Sequence, residues 1–357
     1  MPTVPSLFDT LVTVGVDTHS QAHVAVALDQ RGARLDELAF SNDPSGFVEL
    51  LDWAETMGVI DRFGVEGTGS YGAPLARWLT NLGFVVVEVN RPDRADRRRR
   101  GKDDAIDAEQ AARAVQAGTA TVVPKAGTGP VEAIRMLRNV RAGAVKDRTR
   151  SLNQLHALRT TAPDALRAEL GGLTVTKLVA MCVRLRPGDD LADPVHAAKM
   201  ALRTLARRIQ QLNDEIAALD KQLDPLVAAT APTLVAQQGV GTDVAAGLLI
   251  AAGDNPQRLR SEAAFAALCG VNPIPASSGK TTRHRLNRGG NRDANRCLHV
   301  VALTRMRWNP ATGDYIQRRI SGGKTKPEAM RCLKRYLART LYRAVLADLA
   351  NALKTAA

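Results

Sequence analysis

Cysteine is scarce: Cys182, Cys269, Cys297 and Cys332 are the four in 357 residues, scattered, with no CxxC pair and no histidine at zinc-finger spacing. That excludes a disulfide-stapled scaffold and a structural zinc site, and leaves reduced, semi-buried thiols. Long apolar runs are missing too. None approaches the roughly 18–20 residues that a membrane span needs, and Met1–Thr10 has neither the basic start nor the apolar stretch of a secretory signal. A bacterial-type cytoplasmic protein, with no membrane partner, is the expectation. Acidic residues are rare in one region. From Lys280 to Arg343 there are 17 Lys/Arg against Asp293, Asp314 and Glu328, a local +14 that exceeds the +13 of the whole chain. A cluster this dense, without an amphipathic membrane anchor, points to nucleic acid as the polyanion bound and to association with the nucleoid.

What is present divides into three segments: 11–125, 126–232 and 233–350. The first alternates strand-like and helix-like runs: LVTVGVD, HVAVALD, a weaker RLDELAF, then SGFVELLDWAETM (helix), RFGVEG (strand), APLARWLTNL (helix), FVVVEVN (strand) and a helix from about Asp104. Three hairpin-joined strands followed by crossover units is the layout of a ribonuclease-H-like α/β fold; a dinucleotide-binding fold would place a helix after the first strand. The middle segment is helical. Leu202, Leu205, Ile209, Leu212, Ile216, Leu219, Leu223 and Leu226 recur at spacings of three and four, the stripe of a coiled coil. Its partner is either the earlier helix bearing Ile134, Leu137, Leu152, Leu155 and Leu158, or the same helix of another subunit. The third segment opens with Gly239 and Gly241 between two helical patterns, a helix-hairpin-helix-like start in which a glycine turn lets backbone N–H groups approach phosphate.

Asp17 closes the first apolar strand after Val14 and Val16, and Glu66 stands in the same context after Phe63 and Val65. Asp104 and Asp107, at i and i+3, share a helix face. Any one of these alone reads as a turn cap or a helix start favourable to the dipole. All four, in this fold order, read as a site for two divalent cations, Mg²⁺ or Mn²⁺, of the kind that activates an attacking oxygen and stabilises a leaving one in phosphodiester chemistry.

The strings VGVDTHS, GVEGTGSYG and GKDDAIDAEQAARA resemble the three blocks of RuvC-like DEDD transposases of one large insertion-sequence family, related to pilin-gene invertases. The third block departs from that family's Lys-(Ser/Thr)-Asp-x-x-Asp-Ala by carrying Asp103 at the small-hydroxyl position; Asp104 preserves the i, i+3 spacing to Asp107. Further on, Gly239–Gly241, Gly270–Pro273, Ser278-Gly279 and Arg288–Arg292 resemble the blocks of the family's C-terminal domain. From residue types alone, Pro273, Pro275 and Gly279 bracket an exposed loop in which Ser277 and Ser278 serve as turn formers or phosphate donors. The resemblance implies a serine nucleophile there, with Ser278 the better match and Ser277 the second. It also implies that Asp17, Glu66, Asp104 and Asp107 are catalytic and metal-binding, and that the protein is a homo-oligomer, a dimer or tetramer. An element-encoded noncoding guide RNA, the bridge RNA, is implied as a partner alongside the double-stranded DNA of element ends and target. Lys102, Lys280, Arg283, Arg285, Arg288, Arg292 and Arg296 are the residues expected on nucleic acid.

The expected architecture is thus a RuvC-like α/β domain, a helical coiled-coil segment and a mainly α C-terminal DNA-binding and catalytic domain. The expected function is a transposase that cuts and rejoins DNA. A RuvC-like Holliday-junction endonuclease would share the carboxylates but has no use for the serine loop and basic tail. An actin-like ATPase or sugar kinase would need a second strand-Asp half, which the sequence lacks. A non-catalytic nucleic-acid-binding protein would not require the complete carboxylate set.

Overall fold

A computed structural model of the chain describes residues 10–89, 103–279 and 284–356. Lys102, Lys280 and Arg283 lie outside the described residues. Two compact units form: residues 1–129 with 252–264, and residues 130–251 with 265–357.

The first unit is built on a five-stranded sheet of order β3-β2-β1-β4-β5. Its strands are β1 (Leu11–Thr18), β2 (Ala22–Leu28), β3 (Arg34–Ser41), β4 (Val59–Glu66) and β5 (Val86–Val89). β1, β2 and β3 pair antiparallel, whereas β1–β4 and β4–β5 are parallel. Helices α1 (Pro44–Glu55) and α2 (Ala73–Asn81) supply the crossovers. Asp43 caps α1, accepting from the Ser45 and Gly46 amides, and these hydrogen bonds, with the Ser45 hydroxyl foremost, lower its pKa to about 2.

Side chains of a strand alternate between faces. Val12, Val14, Val16, Phe63 and Val65 pack with Phe47, Leu50, Leu75 and Leu79 of α1 and α2 in one core layer. The opposite face carries Gly15 and Gly64, which pair across β1 and β4. Onto these glycines lies α3 (Asp104–Gln116), through Ala108, Ala111, Ala112 and Val115. A Cβ on Gly15 would fall on the backbone of Ala108 and Ala112, and one on Gly64 would sit 2.7 Å from Val115 Cγ2. The glycine pair therefore sets how closely helix and sheet approach.

The distant segment 252–264 joins this unit through polar contacts. Asn255 accepts from the Ala126 amide at 3.1 Å and donates to Pro124 O at 2.9 Å, and Arg258 donates to Val123 O and pairs with Glu88 at 3.3 Å.

The second unit is helical. Helix α4 (Pro130–Thr161) packs along α7 (Pro194–Thr230), and α5 (Asp164–Glu169) and α6 (Val175–Arg184) close one end. Arg141 pairs with Asp220, and Arg148 donates to Asn213 at 3.2 Å. A step of seven along α4 matches a step of seven backwards along α7, so the pair is antiparallel. The leucine stripe of α7 thus meets a partner within the chain: Leu202, Leu205 and Ile209 share a core with Leu155, Leu166, Leu178 and Val179. After Thr230 come α8 (Pro232–Val235), a turn with Gly239 at φ 82°, and α9 (Thr242–Ala252). Helix α10 (Glu262–Leu268), a two-stranded hairpin of β6 (Ile274–Pro275) and β7 (His284–Arg285), and helices α11 (Arg292–Trp308), α12 (Pro310–Ser321) and α13 (Lys326–Ala356) complete the fold. Fully buried Asp348 of α13 accepts from the Thr233 and Leu234 amides at 3.0 and 2.8 Å, satisfying the open N–H groups at the start of α8.

Candidate metal and nucleic-acid site

Strand parity decides where the four carboxylates go. Asp17 and Glu66 stand two residues beyond the paired Gly15 and Gly64, so both project on the face that α3 covers. The hydroxyl of Thr18 donates to Glu66 O at 2.9 Å, tying the two strand ends together. The glycines seat the first turn of α3 over these ends, and that turn carries Asp104 and Asp107. Asp17, Glu66 and Asp107 are buried and Asp104 is half-buried. Asp103, by contrast, is exposed and caps α3, accepting from the Ala105 amide at 3.0 Å. Of the two adjacent aspartates it is Asp104 that faces the sheet end.

Sequence reasoning missed His19. Its Nε2 lies 3.2 Å from an oxygen of Asp17 and 3.2 Å from an oxygen of Asp104. The nitrogen is shielded from solvent, yet it makes no well-aligned hydrogen bond to either. One donor atom each of Asp17, His19 and Asp104 lies within 4.8 Å of the others, and this is the metal-type cluster found among the described residues. A histidine two positions past a strand-ending aspartate was the available signal. Behind it, His23 is fully buried against Phe40 and Phe47 and accepts the His19 amide on Nδ1 at 3.1 Å, which positions the turn. Burial lowers the pKa of His23 and so favours its neutral form.

Burial raises the pKa of Asp17 above 3.8, and Asp107 and Asp104 push it further while His19 opposes them. Carboxylates held close together and partly shielded from water are unfavourable as neighbours unless a cation joins them. Donor spacings of 3.2 Å suit an ion with bonds of about 2.1 Å, whose ligands sit about 3.0–3.4 Å apart. The residues present therefore fit a divalent cation.

In the second unit, Ser277 and Ser278 are exposed in the loop that follows β6, beside Gly279 at φ 55°. Arg285 on β7, Arg288 in the following loop and Arg292 at the start of α11 are also exposed. Arg296 is committed differently. It pairs with Asp293 at 2.9 Å and Asp243 at 3.1 Å, and Arg138 binds the same two carboxylates at 2.6 and 3.0 Å. That four-membered network clamps α4, α9 and α11, and Arg296 keeps about half of its side chain exposed.

Residues 14–162 match a transposase model of the DEDD type named for IS110, and residues 231–317 match the model described as transposase IS116/IS110/IS902 family. The chain is similar to the insertion element IS110 uncharacterized 43.6 kDa protein of Streptomyces coelicolor, 32% identical over 148 residues, which is 41% of this chain and 36% of that protein. It is also similar to the insertion element IS900 uncharacterized 42 kDa protein of Mycobacterium paratuberculosis, 24% identical over 91% of this chain and 93% of that one. Both matched models are transposase models, and the chain spans about a third of the length of the Streptomyces relative. The two matches follow one another along the chain, the DEDD-type model named for IS110 first and the model described as transposase IS116/IS110/IS902 family second.

Proposed function

We propose that the chain moves an insertion sequence by cutting and rejoining DNA, with Asp17, Glu66, Asp104 and Asp107 holding divalent metal and Ser278 acting as nucleophile. The observation that carries the metal part is the convergence of Asp17 and Asp104 on the shielded Nε2 of His19, at 3.2 Å each. Mg²⁺ or Mn²⁺ bound there would supply charge neutralisation to a reacting phosphate. Asp17, Glu66, Asp104 and Asp107 would hold the cation, and His19 would offer a nitrogen donor beside the oxygens. Ser278 Oγ attacks a backbone phosphorus, forming an O–P ester as the bond to the leaving sugar oxygen breaks and that oxygen takes up the proton. A hydroxyl of a second DNA end then reverses the step on the same phosphorus and frees the serine. Arg285, Arg288 and Arg292 hold phosphates in register.

The family resemblance supports an oligomer and a noncoding guide RNA paired with donor and target DNA, in the bacterial nucleoid. No helix among the described residues is long and apolar enough to cross a membrane. The test is incubation of the purified protein with Mg²⁺, element-end DNA and the flanking noncoding RNA. Strand exchange is expected, and Asp17→Ala or Glu66→Ala abolishes it while nucleic-acid binding persists. Unimpaired exchange in either variant overturns the carboxylate assignment.

A further inference from the structure

The second unit carries a half-open cavity of about 890 Å³ between the 270–273 turn, β7, the end of α12 and the first turns of α13. Seven of its lining side chains are Lys or Arg, and Glu328 is the one carboxylate among the described lining residues. One oxygen of Glu328 accepts from the amide and hydroxyl of Thr325 at 2.9 and 2.8 Å, and the other lies 3.8 Å from Arg331, a long pairing that does not reach Lys334. Lys334 is 9% exposed, and its ammonium donates to the neutral amide oxygen of Asn295 at 2.6 Å. A cation this deeply placed against a neutral partner is costly unless an anion joins it. Burial, with Arg331 beside it, lowers the pKa of Lys334, in keeping with a missing counter-charge.

The same cavity presents a flat apolar surface. Tyr315 and Tyr336 stack with centroids 6.4 Å apart and 28° between planes, Arg319 covers Tyr315 at 5.1 Å, and Tyr336 remains 55% exposed. An exposed ring in the same cavity as a buried lysine and a half-buried arginine suits a ligand with both a planar base and a phosphate. The volume lies in the range of about 300–1,000 Å³ that holds a small molecule. A duplex, whose major groove alone is about 12 Å wide, does not enter it.

We propose that this cavity is a binding site for an unpaired nucleotide of single-stranded nucleic acid, its base on Tyr336 and its phosphate at Lys334 and Arg331. The site extends the transposase reading by adding an unpaired-strand subsite, but it stands on the second unit alone and does not depend on the carboxylates.

The test measures binding of the full chain to a short oligothymidylate, a matched oligouridylate and a hairpin duplex, with photo-crosslinking through 5-iodouracil. Tyr336→Ala weakens single-strand binding about tenfold, Tyr336→Phe restores it, and duplex binding is unchanged. Lys334→Gln lowers the salt slope of single-strand binding by about 0.7. Tighter binding of the ribose strand identifies RNA as the source, and tighter binding of the deoxyribose strand identifies DNA. Equal loss of single strand and duplex in Tyr336→Ala, no loss of either, or crosslinks that map away from the cavity overturn the proposal. Binding is read without added divalent metal, so failure here is separable from failure of the metal assignment.

Discussion

Gly15→Ala is the smallest change that should dismantle the carboxylate site without touching a carboxylate. The added methyl would meet the Ala108 carbonyl and the Ala112 amide first, and these are backbone atoms that cannot rotate away. Even the third-nearest atom, Ala112 Cβ, would stand at 3.0 Å. Carbon atoms pack best at about 3.5–4.0 Å, so α3 must withdraw by on the order of 1 Å to clear the nearer contacts. Asp104 and Asp107 move with it, because both sit in the first turn of that helix. Overpacking of this kind costs about 1–3 kcal/mol of stability. A catalytic displacement of about 1 Å can cost about a hundredfold in rate. Urea unfolding and strand-exchange rate together read the two effects. Gly143→Ala, mid-way along α4 where a methyl meets nothing within 4 Å, is the control and should be neutral or slightly stabilising. Wild-type stability and exchange in Gly15→Ala would refute the claim that helix–sheet approach sets the site.

Other outcomes follow from the same structure. Because burial foremost raises the pKa of Asp17 above 3.8, its ionised form costs the metal-free protein stability as pH rises through that raised value; Asp17→Asn should raise the metal-free melting temperature at neutral pH and remove the stabilisation that Mn²⁺ gives the wild type, both read by calorimetry. His19→Gln should weaken Mn²⁺ binding more than Mg²⁺ binding in calorimetric titrations, since imidazole suits the softer ion; equal losses would remove His19 from the ligand set. Trapping the protein on labelled DNA under denaturing conditions should give an adduct that Ser278→Ala eliminates and Ser277→Ala does not, and an adduct surviving Ser278→Ala moves the nucleophile elsewhere. Asp348→Ala leaves the Thr233 and Leu234 amides without their buried acceptor and should destabilise the second unit by about 2–3 kcal/mol in denaturant titration; an unchanged midpoint would contradict that role.

The strands and helices of the first unit were legible because their periods are clean: Val12, Val14 and Val16 alternate with Thr13, Gly15 and Asp17, and an acid ending such a run marks itself. The two glycines that admit α3 were not read as a pair, because their register across β1 and β4 is a tertiary fact. His19 escaped notice since it follows the strand, where no periodicity fixes a side-chain direction. The stripe on α7 was visible, but its partner was not, as a heptad pattern is the same whether the second helix belongs to the chain or to a neighbour. The return of 252–264 to the first unit rests on Asn255 and Arg258 reaching backbone and carboxylate groups, contacts that leave no hydrophobic signature. Along α13, no periodicity distinguishes Lys334 from the cations of a solvated helix face, and its burial is a tertiary fact.

The central claim is that Asp17 and Asp104, with Glu66 and Asp107 beside them, hold a divalent cation. It is tested most directly by titrating Mn²⁺ into the full-length protein and following the free-ion signal by electron paramagnetic resonance. Saturable uptake by the wild type, lost in Asp17→Asn and in Asp104→Asn while circular dichroism stays unchanged, is the predicted result; uptake by these variants equal to that of the wild type, or none by the wild type, would contradict it.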